Sequence, residues 1–166
     1  MTLLTDEIRS LIGREVTYTA PEELGRAAIR YFAQAVGDDN PLYTDRDYAR
    51  VQGYRDVVAP PTLLCETNQY TGLPADDEGF AGHTWSLEVP QTRKVRGGNS
   101  YAWHAPVHPD TVVTATWQVT GAIERTTSSG KSMLVVTSTA RFTDAAGELL
   151  VTNAETIIYV ALEERS

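Results

Sequence analysis

Gly37-Asp38-Asp39-Asn40-Pro41-Leu42-Tyr43-Thr44-Asp45 is the stretch on which the reading of this chain turns. Nine residues hold carboxylates, an amide, a proline and a phenol, between two segments of helical period. On the N-terminal side Leu24, Ala28, Phe32 and Ala35 recur at helical spacing, and Ile29 and Tyr31 widen the apolar stripe. Thr19-Ala20-Pro21-Glu22 has the form of a capping box with proline in the first turn, which predicts a helix from there to Val36. Gly37 supplies the C-terminal stop. On the other side Asp45 is a cap for a short helix over Arg46 to Val51, closed by Gly53. Polar groups gathered in a loop between periodic segments are where chemistry tends to sit. Asp38 and Asn40 equally suit a helix end and a turn, because their side chains bond nearby backbone.

Outward from the loop, Asp6 to Ile12 reads as a short helix or pre-strand, and Glu15 to Thr19 as an extended piece. Pro60-Pro61 can begin a helix but not lie inside one. They predict a buried helix through Thr62 to Tyr70, stopped by Gly72 and Pro74. Ala75 to Gly82 is loop. The period then changes from 3.6 to 2. Trp85, Leu87 and Val89 alternate, as do Tyr101, Trp103 and Ala105, then Val113 to Val119 and Leu134 to Ala140, and Val151 to Val160 is the last strand. Ser128-Ser129-Gly130 and Asp144 to Gly147 are hairpin turns. The second half is an antiparallel meander of four or five long strands, and the whole is α+β, with the sheet expected to wrap the Pro61–Tyr70 helix.

The bulk numbers narrow the function. At 166 residues one domain spanning 1–166 is expected, large enough to bury a core without disulfides or metals. A net charge of −8 makes a poor partner for nucleic-acid phosphates. Neither a signal-peptide pattern nor an apolar run of the roughly 20 residues needed to span a bilayer is visible, so no membrane role and a cytoplasmic location are expected. The single cysteine, Cys65, fits a reducing compartment and reads as inert core. His83, His104 and His108 lack metal spacing, so neither metal nor cofactor is expected. His83 and His108 read as loop and turn residues. Arg93-Lys94-Val95-Arg96 is the one basic run in an acidic chain. It suits coenzyme A phosphates or an acidic carrier protein, and equally a solvated strand end.

Gly37, Asp38, Asn40, Pro41, Leu42 and Asp45, then Tyr48-Ala49, then Val58-Ala59-Pro60-Pro61-Thr62, resemble the MaoC-like dehydratase family, whose hydratase motif runs Gly-Asp-x-Asn-Pro-Leu-His-x-Asp. Gly97 to Val107 is similar to a segment of that family's N-terminal-type dehydratase subunits, with Pro109 where their following turn has glycine. The resemblance covers residues 15 to 160. It implies a hotdog fold, a long central helix wrapped by an antiparallel sheet, pairing edge to edge with a second chain. It implies hydration of an enoyl thioester, or dehydration of its 3-hydroxyacyl counterpart, carried on coenzyme A or acyl carrier protein, in fatty-acid or polyketide metabolism. Asp38 and Tyr43 then hold the catalytic positions. Asn40, Ala59, Thr62, His104, Arg93 and Arg96 become candidates for substrate binding.

Two departures bear on activity. The family's catalytic histidine falls on Tyr43, a phenol with a pKa near 10 that is protonated at neutral pH. The family's helix-start glycine, whose N–H holds the thioester oxygen, falls in Ala59-Pro60-Pro61, and proline has no N–H. Hydration needs a base for water, an acid for Cα and donors for the enolate oxygen. The family includes two-subunit dehydratases in which one chain carries the Asp/His pair and the other keeps the fold and shapes the acyl tunnel. This chain resembles the second kind. A self-sufficient homodimer using Asp38 with Tyr43 or His104, a hotdog thioesterase, and a non-catalytic acyl-thioester-binding protein are the alternatives.

Overall fold

A computed structural model describes residues 2–75, 79 and 81–162. The expected strands of the second half form as β3 (Thr114–Thr126), β4 (Ser132–Thr143) and β5 (Leu149–Ala161), joined by the two expected turns. Strand β2 (Thr92–Trp103) runs antiparallel to β5, and the short β1 (Glu15–Thr19) antiparallel to β3. The order across the sheet is β1-β3-β4-β5-β2. This is the hotdog layout, with one long edge strand, β2, on its open side.

Side chains alternate across the sheet, so one face carries the core. Leu134, Val136, Ala140 and Phe142 of β4 are buried on it. The core has two parts. In one, Trp117, Phe142 and Val151 pack with Ile29 and Ala33 of helix α2 (Arg26–Val36) and with Leu63, Leu64 and Tyr70. In the other, Leu3, Leu4 and Ile8, the last from helix α1 (Asp6–Ser10), cover Val119, Leu134, Val136 and Tyr159. The buried Ser138 and Asn153 lie between the two, and Ser138 Oγ accepts the Trp85 indole N–H at 2.8 Å.

Three expectations are corrected. Helix α2 begins at Arg26 and not near Thr19. Thr19 is the last residue of β1, and its hydroxyl bonds that of Thr114 instead of capping. The intervening chain is pinned by Ala20, Leu24 and Gly25 N–H groups donating to Val113, Thr111 and Pro109 carbonyls. Second, Pro61–Tyr70 is not one α-helix but two 3-10 turns, Pro61–Glu66 and Asn68–Tyr70, and α2 is the main helix against the sheet. The Gln69 side chain donates to the Leu64 and Cys65 carbonyls, the acceptors that an α-helix would need for the next turn. Third, Trp85 to Val89 forms no strand, although Trp85, Leu87 and Val89 pack inward as their period requires. Ser86 takes a positive φ of 50° and Pro90 cannot donate to a ladder. Part of the expected Ala75–Gly82 loop lies outside the described residues.

Two glycines matter for position. Gly37 ends α2 in the left-handed region at φ 71° and turns the chain into the loop. Gly97 sits at a bulge in β2, and a Cβ there would meet Thr156 Cγ2 at 2.9 Å, so β2 lies close against β5 only because the side chain is absent.

The loop is clamped from both flanks by one carboxylate. The buried Asp56 pairs with Arg26 at the start of α2 and with Arg46 at the start of helix α3 (Arg46–Val51), and also accepts its neighbour's Val57 N–H. The Arg26 hydrogen bond, helped by that backbone donor and by Arg46, lowers the Asp56 pKa from 3.8 to about 2 against the opposing cost of burial. A depressed carboxylate stabilises the fold above its unfolded pKa, so this contribution is lost as pH falls from 3.8 to about 2. Asp56→Asn is expected to cost about 1–2 kcal/mol in urea unfolding at pH 7, the value being limited by water around the two half-exposed guanidiniums.

Candidate active site

The loop is built by its own side chains. Asp38 Oδ1 accepts the Asn40 N–H at 3.1 Å, and Asn40 Oδ1 accepts the Leu42 N–H at 3.0 Å, capping a single 3-10 turn over Pro41–Tyr43. Asp45 then caps α3 by accepting from Asp47 and Tyr48. The Leu42 carbonyl accepts the Val58 N–H, tying the loop to the segment before the prolines. These bonds turn the Tyr43 side chain inward, where the residue is 9% exposed, while Asp38 stays at the exposed rim.

Tyr43 faces a cleft of about 380 Å³. Leu42, Tyr54, Val58, Ala59, Pro60, Pro61 and Leu64 line it together with Trp103 to Val107. The lining is largely apolar. Burial first, then the charge and hydrogen bond of Asp38, raise the Tyr43 pKa above 10, with Asn40 partly opposing. The phenol is therefore a neutral donor beside a carboxylate, and not a base.

Beside the cleft the amides of Ala59 and Leu63 are spent and those of Pro60 and Pro61 are missing. Ala59 N–H donates to the Val107 carbonyl at 2.8 Å. Pro60 and Pro61 have none to give, and Leu63 N–H closes the turn onto the Pro60 carbonyl. Thr62 is the first residue past the prolines that carries an N–H.

The sequence-derived site residues thus divide. Tyr43, Ala59 and His104 line the cleft, whereas Asp38, Asn40 and Thr62 flank it without lining it. His104 is exposed and lines the same cleft as Tyr43, its Nε2 3.2 Å from Thr152 Oγ1. Arg93 and Arg96 lie at the other end of β2. Arg93 is ten residues from Trp103, roughly 33 Å along an extended strand. Among the described residues no group of His, Cys, Asp and Glu is placed to hold a metal.

Two histidines read as loop and turn residues have defined places. His108 is buried, its ring Nδ1 3.0 Å from the Val57 carbonyl, and it fixes the wall of the cleft. His83 stacks on Trp117 with ring centres 4.5 Å apart, meets Trp85 edge-on, and shares a 3.1 Å hydrogen bond with Tyr18. Its position was visible in the sequence, since His83 is in phase with Trp85, Leu87 and Val89. Burial lowers its pKa from 6.5 to about 4, and its Nε2 is buried without a hydrogen-bond partner among the described residues. Below pH 6.5 the unfolded chain binds a proton there that the folded chain refuses until about pH 4. Stability should therefore fall across that window, by on the order of 3 kcal/mol. Urea unfolding at pH 7, 5 and 4 measures this, and His83→Gln should flatten the profile between pH 6.5 and 4.

Comparison with known proteins follows the same lines. Residues 10–153 match the FAS1-like dehydratase domain region. A UPF0336 protein of Streptomyces coelicolor is 36% identical over 158 residues, covering 94% of this chain and 97% of the relative. One from Thermobifida fusca is 32% identical over 150 residues, covering 90% and 91%. Among solved structures, the ChsH1-ChsH2 complex of Mycobacterium tuberculosis superposes with a TM-score of 0.68 at 18% identity, covering 87% of each chain. The HadBC (3R-hydroxyacyl-ACP dehydratase) complex of the same organism gives 0.63 at 24%, covering 87% of this chain and 96% of that one. The (R)-hydratase from A. caviae gives 0.62 at 22%, covering 92% and 96%. These three share the fold. The chain belongs to the FAS1-like dehydratase family, with MaoC-like hotdog architecture and UPF0336 proteins as its relatives.

Proposed function

We propose that this chain is one subunit of an acyl-thioester hydratase/dehydratase, interconverting enoyl and 3-hydroxyacyl thioesters of coenzyme A or acyl carrier protein, and that a second MaoC-like chain supplies the Asp/His pair. The carrying observation is the lining of the cleft: a neutral phenol where a base is needed, and two prolines where an oxyanion donor is needed. The apolar cleft is kept, which suits a chain that holds and shapes the acyl group. The partner lies along β2, whose twelve residues leave an open sheet edge, and long open edges are normally covered. Two of the similar structures are themselves complexes of two named chains. Residues 1–166 act as a single hotdog domain, without nucleic acid or a membrane as partner, in the cytoplasm. No helix of the described residues is long and apolar enough to cross a bilayer.

The test is hydration of crotonyl-CoA by the purified chain, alone and with a MaoC-like partner bearing Gly-Asp-x-Asn-Pro-x-His. The expected result is no turnover alone, turnover of the pair, and only a few-fold change in the pair on Tyr43→Phe. His104 on the cleft wall favours a second reading, a homodimer that uses Asp38 with His104. Turnover by the chain alone, abolished by Asp38→Asn and by His104→Ala, would establish that reading in place of ours.

A further inference from the structure

The basic run lies too far along β2 to serve this chain's own cleft. Lys94 is nine residues from Trp103, roughly 30 Å of extended strand. A pantetheine arm is shorter than that. Yet Lys94 and Arg96 stand on the same sheet face as the cleft. Lys94 is registered with the buried Tyr159, Arg96 with Ile157 of the second core cluster, and Trp103 with the fully buried Val151. Residues paired across a sheet share a face, so these three side chains point the same way. Val95 and Arg93 point to the other face.

Resting on the proposed pairing with an Asp/His-bearing chain of the same fold, we propose that Lys94 and Arg96 act in trans, binding the phosphate of the thioester held in the partner's active site. Antiparallel pairing of two edge strands reverses one against the other. The N-terminal end of this β2 then comes beside the C-terminal end of the partner's, which in this fold is the cleft end. With full overlap of twelve residues, Lys94 falls opposite the position that Tyr101 holds here, and Arg96 opposite that of Asn99. Both cations arrive on the cleft face, a short distance from the site and not a strand's length away. The placement also accounts for a charge cluster in a chain whose net charge is −8. A phosphate is common to coenzyme A and to the phosphopantetheine of a carrier protein, and a cation at the mouth of the cleft recognises either.

The test uses the assembled two-chain enzyme and the Lys94→Glu/Arg96→Glu variant of this chain, with Arg141→Glu as a surface-charge control. For crotonyl-CoA the variant should raise KM by about tenfold or more and leave kcat near that of wild type. For crotonyl-pantetheine, which has no phosphate, KM should not move. A carrier-protein thioester, assayed in parallel, identifies the natural source by showing the larger KM shift of the two. An unchanged KM for both phosphate-bearing substrates, or an equal rise for crotonyl-pantetheine, would overturn the proposal while leaving the two-subunit reading intact. Absence of turnover by the wild-type pair overturns that reading instead. In that event calorimetric titration of 3′,5′-ADP into the pair decides the phosphate site: binding that the double variant abolishes supports it, and no binding removes it.

Discussion

Tyr43→His alone should leave the isolated chain without measurable crotonyl-CoA hydration, whereas Tyr43→His with Pro61→Gly should raise its rate by about 10²–10³-fold over that background. The first substitution places an imidazole beside Asp38, at the inward-facing position that Tyr43 now fills. It supplies a base, but the enolate oxygen still meets a turn that opens with two prolines. The second substitution returns an N–H to the first residue of that turn. Groups that act as a unit give little when only one is present, so the effect should be far from additive. Loss of enoyl absorbance is the measurement. Full activity from Tyr43→His alone would mean that another donor, such as Thr62 N–H, already holds the oxyanion.

Trp117→Ala should destabilise the chain by about 3–5 kcal/mol, the largest effect expected of a single truncation here. Trp117 is 5% exposed at the centre of the larger core. Its indole N–H donates to the Tyr70 hydroxyl at 2.9 Å, and its ring stacks on His83. Truncation therefore opens a cavity and removes the bond that holds the second 3-10 turn to the sheet. Net stabilities of about 5–15 kcal/mol make this a fifth or more of the total. Urea unfolding measures it, and Trp117→Phe, which keeps most of the ring volume, should cost less than half as much. A loss under about 1 kcal/mol for the alanine variant would show that the two layers hold together without this contact.

Local chemistry explains which elements could be read in advance. Strands β3 and β4 follow from the alternation of Val113 to Val119 and of Leu134 to Ala140 next to turns, because a one-residue slip would expose those buried side chains. The α3 cap at Asp45 and the α2 stop at Gly37 follow from side-chain and backbone geometry within a few residues. The failures share another cause. Thr19-Ala20-Pro21-Glu22 has a capping sequence, yet Thr19 is taken by β3 through Thr114, nearly a hundred residues away. Pro61–Tyr70 has helical composition, yet Gln69 turns back and takes the carbonyls that an α-helix would use. His83 was in phase with its apolar neighbours, but only packing against Trp117 removes it from water and lowers its pKa.

The sequence by itself determined the hotdog class, the loop from Gly37 to Asp45, and the residue types at Tyr43 and Pro60-Pro61. Those are properties of residue type and short spacing, and they survive any packing. Only the tertiary structure decided which candidates meet. It brought Tyr43, Ala59 and His104 around one cleft, left Asp38 at its rim, and carried Arg93 and Arg96 to the far end of β2. The reason is geometric. A strand advances about 3.3 Å per residue, so the basic run, close to Trp103 in sequence, stands far from it in space, while Tyr43 and His104, distant in sequence, face the same apolar volume.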